Sequence, residues 1–153
     1  MNTELHNVLK PGRVFLDIEA GDAVSLIHTV SDRLRDCDEV ISSREMAKAA
    51  VIREREMPTG IEHGIALPHA RTHAVRGLLV AFVRPVKPIP FQAPDGEPAD
   101  LIFFSAIPPR SITEYLKLTA HIVRMLSAEG LQETLRSAQT HADVCKALGL
   151  HLE

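Results

Sequence analysis

The sequence predicts an α/β fold in which a β-sheet is sandwiched between layers of helices, and three observations carry that expectation. Segments with helical periodicity stand towards both ends of the chain, while strand-like segments concentrate in the middle. Two of those strands, residues 78–83 and 100–107, are apolar almost without interruption, the pattern of strands covered on both faces. The chain has 153 residues, 45% of them hydrophobic and 24% charged. That is enough for one domain with one core, and it excludes a disordered or fibrous chain.

Each element follows from its residues. Residues 14–18 (Val-Phe-Leu-Asp-Ile) are β-rich and stop at Gly21-Asp22, so a strand is predicted there. Asp22 then caps a helix whose apolar positions Ala23, Ile27, Val30 and Leu34 recur at helical spacing. Ser42-Ser43 open a second helix through Met46 and Ala50 to about Arg55, closed by Pro58 and Gly60. Short apolar runs follow, punctuated by Gly60, Gly64, Pro68 and Gly77. Residues 64–67 read as a short buried strand and residues 78–83 as a longer one. Pro85, Pro88 and Pro90 around Ile89 and Phe91 suit a sheet edge or a turn. Pro94-Asp95-Gly96 is a turn, because Pro fixes φ while Asp and Gly tolerate tight geometry. The strand at 100–107 ends at Pro108-Pro109, and Ser111 or Thr113 opens a long helix. Its buried stripe is Tyr115, Leu118, Thr119, Ile122, Met125 and Leu126. Gly130 ends it, and short helices at 131–138 and 142–148, joined near Thr140, finish the fold.

Several function classes are excluded at this level. No apolar run reaches membrane-spanning length, and the start, MNTELHNVLKPGR, has no secretory apolar core, so no membrane insertion is expected. A formal net charge of −3 argues against a dedicated nucleic-acid binder, which needs clustered positive charge. Cys37 and Cys145 are far apart and form no metal or redox motif; a reducing, cytoplasmic location is the simpler expectation. The final Leu152-Glu153 has the look of a cloning remnant and receives no weight.

Residues 59–70 (Thr-Gly-Ile-Glu-His-Gly-Ile-Ala-Leu-Pro-His-Ala) carry the chemistry. A short strand delivers Pro68 and then His69; Pro68 stiffens the backbone and Ala70 leaves room beside the imidazole. The glycines upstream, Gly64 among them, permit a tight loop that brings backbone N–H groups towards an anion. His63 either faces the site across that loop or is exposed. A neutral imidazole is a nucleophile near neutral pH, and the N–P bond it forms remains reactive. Phosphoryl chemistry also needs a cation, and Arg53 or Arg55 at the end of the second helix can clamp phosphate oxygens. His63, His69 and His73 do not have zinc-site spacing, and neither metal nor cofactor is called for.

These residues resemble the signature of the type-2 EIIA domains (fructose, mannitol and nitrogen-regulatory) of the bacterial phosphoenolpyruvate:sugar phosphotransferase system. The likeness runs through Arg53-Glu54, Thr59-Gly60-Ile61 and residues 64–70. It continues downstream in Pro88-Ile89, Phe91, Ala93, Asp95-Gly96, Pro98, Asp100-Leu101, Phe103 and Pro108, and then in Leu116-Lys117 and Leu126. It covers about residues 5–148, so 1–153 is expected to be a single EIIA domain. The resemblance implies a three-layer α/β/α sandwich with a mixed sheet. It implies that His69 accepts phosphate from an HPr- or NPr-type carrier and passes it to an EIIB partner, with Arg53 neutralising the phosphate. Arg71, two residues beyond His69, adds a second cation. One departure stands out: where relatives usually carry a second active-site histidine early in the long helix, this chain has Tyr115. His121 is a poor substitute, about 120° away around the helix. A tyrosine donates a hydrogen bond but holds no positive charge. An apolar docking rim is expected from Ile61, Ile65 and Phe91. The alternative role is a regulatory binding module for a transporter or kinase, towards which Tyr115 leans.

Overall fold

In the computed structural model, which describes residues 5–150, alternate residues of the two central strands feed two separate cores. The elements in chain order are α1 (Leu5–Val8), β1 (Val14–Phe15), α2 (Ala23–Arg33), α3 (Ser43–Glu56), β2 (Ile65–Ala66), β3 (His69–Arg71), β4 (Leu79–Val83), β5 (Leu101–Ile107), α4 (Ile112–Leu126), α5 (Leu131–Ser137) and α6 (His141–Ala147). Leu79, Ala81 and Val83 of β4 and Ile102, Phe104 and Ala106 of β5 pack on one face, with α2 and α3. Val80 and Phe82, with Leu101, Phe103 and Ile107, pack on the other, with α4, α5 and α6. The period of two along each strand therefore separates the helical layers. Both strands are buried along their whole length, as their unbroken apolar runs required. Phe82 and Phe103 meet edge-on, ring centroids 5.0 Å apart, and each buried ring contributes about 2–3 kcal/mol.

The sheet is mixed. β1 pairs with β4 in parallel, β4 with β5 antiparallel, and β2 and β3 both pair with β5 in parallel. The registers Ile65 with Leu101 and His69 with Ser105 share one offset, so β2 and β3 form a single edge strand interrupted at Leu67-Pro68. Pro68 has no N–H to give the ladder, yet its carbonyl still accepts from the Ser105 N–H (3.0 Å). A short, proline-broken edge also blunts pairing with a second chain.

Side-chain caps form at three helix starts, those at Asp22 and Ser42 as expected, whereas Ser111 opens α4 without one. Asp22 accepts from the Ser25 N–H (2.8 Å), Ser42 from the Glu45 N–H (3.1 Å) and Thr140 from the Asp143 N–H (3.0 Å), each worth about 1 kcal/mol. Two expectations change. The first strand is shorter than residues 14–18. Arg84 N–H binds the Phe15 carbonyl and Val86 N–H the Ile18 carbonyl, so three steps on one side face two on the other and register is lost. The edge strand also extends beyond the expected residues 64–67 to include His69–Arg71, because pairing with β5 resumes after Pro68. Helix α1 lies in a segment where no element was expected. Leu152-Glu153 lies outside the described residues. Among the described residues, no helix is long and apolar enough to cross a membrane.

Candidate functional site

His69 sits half-buried on the edge strand, at its C-terminal end. By alternation its side chain shares a face with Ile65, towards the α4 layer. There the Tyr115 ring, on the first turn of α4, lies 5.3 Å from the His69 ring at a 35° tilt. Arg53, in the last turn of α3, approaches from the other side of the sheet edge. His69, Arg53, Arg71 and Tyr115 line one cleft of about 430 Å³, with Ala49, Ile52 and Glu56 of α3 and Ile107 and Ile112 completing its wall.

The imidazole is held in one tautomer. Nδ1 lies 3.0 Å from the Leu67 carbonyl oxygen, and a carbonyl only accepts, so Nδ1 carries the proton and Nε2 keeps its lone pair. Burial lowers the His69 pKa from its usual 6.5, and the Arg53 charge lowers it further, against the opposing pull of the Leu67 hydrogen bond and of Glu54. The ring is therefore neutral at pH 7, the form that attacks phosphorus. Burial also pushes the Tyr115 hydroxyl above its usual value, so it stays a neutral donor.

Arg53 donates to the Met57 carbonyl (2.9 Å) and Arg71 to the Pro109 carbonyl (3.2 Å). Neither forms an ion pair among the described residues, although Glu56 lines the same cleft. Arg55, the other sequence candidate, lines a different concavity with Asp22, Pro58 and Gln92. That concavity is also about 430 Å³, so size does not single out the site; the convergence of a neutral histidine with two unpaired guanidinium groups does.

His63 and Gly64 do not join this cleft. Five residue steps of extended chain carry Gly64 to His69, about 16 Å at strand rise. The His63 side chain is exposed, and the residue borders a third hollow, of about 400 Å³, with Ile61, Val123 and Gln132. The glycines do other work. A Cβ on Gly60 would lie 2.9 Å from Phe91 Cβ, so Gly60 permits a close crossing. Gly64 adopts φ +76° beside Asp100 and Arg136. Three N–H groups of the glycine loop are already committed within the fold. Those of Ile61, His63 and Leu67 are spent on the Ile65 carbonyl, the Asp95 carboxylate and the Thr59 carbonyl. His121 is exposed and outside the cleft wall.

The apolar rim also differs from expectation. Ile65 is 5% and Phe91 1% exposed, so both belong to the core, and Ile61 borders the third hollow. Of the exposed large apolar side chains, Ile52 lines the cleft, Met57 belongs to the residue whose carbonyl holds Arg53, and Leu116 follows Tyr115 in sequence. Sequence periodicity identifies buried faces; it does not flag an apolar residue on an exposed one. Glu54 and Thr59 were visible only as part of the motif. In the fold, buried Glu54 accepts from the Thr59 N–H (2.9 Å) and hydroxyl (2.5 Å), tying the end of α3 to the strand before His69.

Comparison with known proteins agrees with this picture. The family described as "Phosphoenolpyruvate-dependent sugar phosphotransferase system, EIIA 2" matches residues 7–149. A nitrogen regulatory protein of Pseudomonas aeruginosa is 30% identical over 137 residues, 89% of this chain and 88% of that protein. A fructose-specific EIIA component of Haloferax volcanii is 35% identical over 105 residues, 68% of each chain. The crystal structure of the nitrogen regulatory protein IIA-Ntr from Neisseria meningitidis superposes with a TM-score of 0.85 at 28% identity, covering 94% of this chain and 98% of that one. The Escherichia coli IIA mannitol domain, solved in complex with phosphorylated IIB mannitol, shares the fold at TM-score 0.78 and 21% identity, covering 93% of this chain and 99% of that one.

Proposed function

The chain belongs to the EIIA type-2 family of the phosphoenolpyruvate-dependent sugar phosphotransferase system, and from that premise we propose that it is a cytoplasmic phosphocarrier, one EIIA domain, whose phosphoryl acceptor is Nε2 of His69. The observation that carries this is the tautomer: the Leu67 carbonyl holds the Nδ1 proton and leaves the Nε2 lone pair at a cleft bearing two guanidinium groups.

The step is a simple exchange. The Nε2 lone pair forms a bond to phosphorus, the N–P bond to the carrier's histidine breaks, and that nitrogen keeps the electron pair. Positive charge builds on the His69 ring as the bond forms, and the Nδ1–H···O=C hydrogen bond strengthens with it. Arg53 and, more weakly, Arg71 neutralise the phosphoryl oxygens. Tyr115 packs against the ring and supplies no charge. The acceptor is an EIIB component, by analogy with the mannitol complex, and the donor the HPr- or NPr-type protein that membership of the family implies. Ile52, Met57 and Leu116 would form the apolar part of the docking face.

A regulatory use of the same phosphorylation is the second reading, favoured by relatives named nitrogen regulatory proteins and by the uncharged Tyr115. Phosphate adds nearly two negative charges at one surface point, enough to make or break a contact with a transporter or kinase. The test of the shared chemistry is incubation with phosphoenolpyruvate, enzyme I and an HPr-type carrier, followed by intact mass. One acid-labile phosphoryl group on the wild type is expected. No uptake from any carrier of this class would overturn the reading.

A further inference from the structure

Four hydrogen bonds form a continuous path from a buried carboxylate to the reactive ring. Glu54 Oε2 accepts from the Thr59 N–H (2.9 Å), and Oε1 from the Thr59 hydroxyl (2.5 Å). The Thr59 carbonyl accepts from the Leu67 N–H (3.1 Å), and the Leu67 carbonyl accepts from His69 Nδ1 (3.0 Å). We infer that Glu54 is a positioning residue for His69, acting through Thr59 and Leu67 without touching phosphate, and that it fixes the tautomer and direction of the imidazole. This rests on His69 being the phosphoryl acceptor.

Glu54 and Thr59 are each only 7% exposed, so water does not substitute for either partner. Glu54 also stands in the last turn of α3, where the helix dipole disfavours negative charge and burial makes it costlier still. A carboxylate placed against both penalties is poorly explained by stability. It is explained by what it holds. Both its oxygens are committed to one residue, and that residue's carbonyl sets the height of the Leu67 peptide on the edge strand. On its outer side this edge is held only by residues 59–61, through the Ile61 N–H on the Ile65 carbonyl and the Leu67 N–H on the Thr59 carbonyl, and Pro68 cannot donate to any neighbour. Without the Thr59 anchor the Leu67 carbonyl has no second support, and the ring it orients is free to turn or to exchange its proton to Nε2. A proton on Nε2 removes the nucleophile.

The experiment uses the full chain with Glu54→Gln, Thr59→Val and Thr59→Ser. Gln keeps the size of Glu but its amide nitrogen cannot accept; Val removes the hydroxyl that Ser retains. Two readouts are taken: the His69 tautomer in the unphosphorylated protein, by two-bond proton–nitrogen NMR correlation, and the rate of phosphoryl uptake from a phosphorylated HPr-type carrier. Glu54→Gln and Thr59→Val should lower the Nδ1–H fraction and slow uptake by about tenfold or more, while Thr59→Ser restores both. Folded Glu54→Gln or Thr59→Val protein with unchanged tautomer and rate would overturn the inference. Should Glu54→Gln fail to fold, the Thr59 pair decides. If no carrier phosphorylates the wild type, the phosphocarrier reading falls, and the tautomer measurement still decides the role of Glu54.

Discussion

The two ends of the interrupted edge strand carry a histidine each, and they are built in opposite ways. At the N-terminal end, the backbone of His63 is fixed and its ring stands in solvent beside the Glu62 carboxylate (3.8 Å). Its φ is +67°, its N–H donates to Asp95 (3.0 Å), and its carbonyl accepts from Arg136. Arg136 is itself held by Asp100 (2.9 Å), while the His63 ring stands 71% exposed. At the C-terminal end, His69 has ordinary strand backbone and a fixed ring, clamped by the Leu67 carbonyl and covered by Tyr115. Pinning a backbone stabilises a loop. Pinning a ring prepares a nucleophile. The arginines differ in the same way: Arg136 is spent on a carboxylate, whereas Arg53 and Arg71 keep their charge for an incoming anion.

The comparison breaks most decisively at the histidines. His69→Ala should abolish phosphoryl uptake entirely and His63→Ala should leave it at the wild-type level, as intact mass would record. Uptake lost in both variants would mean the two ends act together.

Next come the arginines. Arg53→Ala should slow uptake by about 100-fold, the usual effect of losing one transition-state charge partner. Arg136→Ala should leave the uptake rate unchanged and cost about 1–3 kcal/mol in denaturant unfolding, because it strips Asp100 and the His63 carbonyl of their donor.

Gly64→Ala sharpens the same contrast at smaller scale. The added Cβ would stand 2.7 Å from Asp100 Oδ1 and 2.8 Å from Arg136 Nη2, at a φ of +76° that favours glycine. A loss of about 1–3 kcal/mol is expected, with uptake unaffected, measured by unfolding and by mass in parallel.

Much of this was legible in the residues, for a physical reason. The layers follow from apolar runs and helical stripes, because burial on two faces or one leaves different periods. The caps at Asp22 and Ser42 are local chemistry. His69 and Arg53 came from a motif, and the fold brings both to one cleft. What the motif hid was distance: His63 and Gly64 are close to His69 in sequence, but extended chain covers about 3.3 Å per residue, so closeness along a strand is separation in space. Glu54 and Thr59 were equally hidden, because their link to His69 runs through main-chain groups that every residue owns. The outward-facing Ile52, Met57 and Leu116 leave no periodic trace.

The smallest effect is in pH. Because the folded protein lowers the His69 pKa below 6.5, the unfolded chain binds the proton more tightly. This histidine thus costs nothing above its unfolded pKa and destabilises the fold progressively as pH falls below about 6.5 towards the folded value. Uptake should accordingly persist into mildly acidic solution. An NMR titration of the His69 ring should give a midpoint below 6.5, and a midpoint above it would contradict the burial account.

The central claim is that the fold offers phosphorus one nitrogen, Nε2 of His69. The most direct test is phosphorus–nitrogen correlation NMR on the nitrogen-labelled, enzymatically phosphorylated protein. The account predicts a phosphorus coupling to Nε2 of His69, with the Nδ1 proton still directed at the Leu67 carbonyl. Coupling to Nδ1, or to a ring nitrogen of His63, would contradict it.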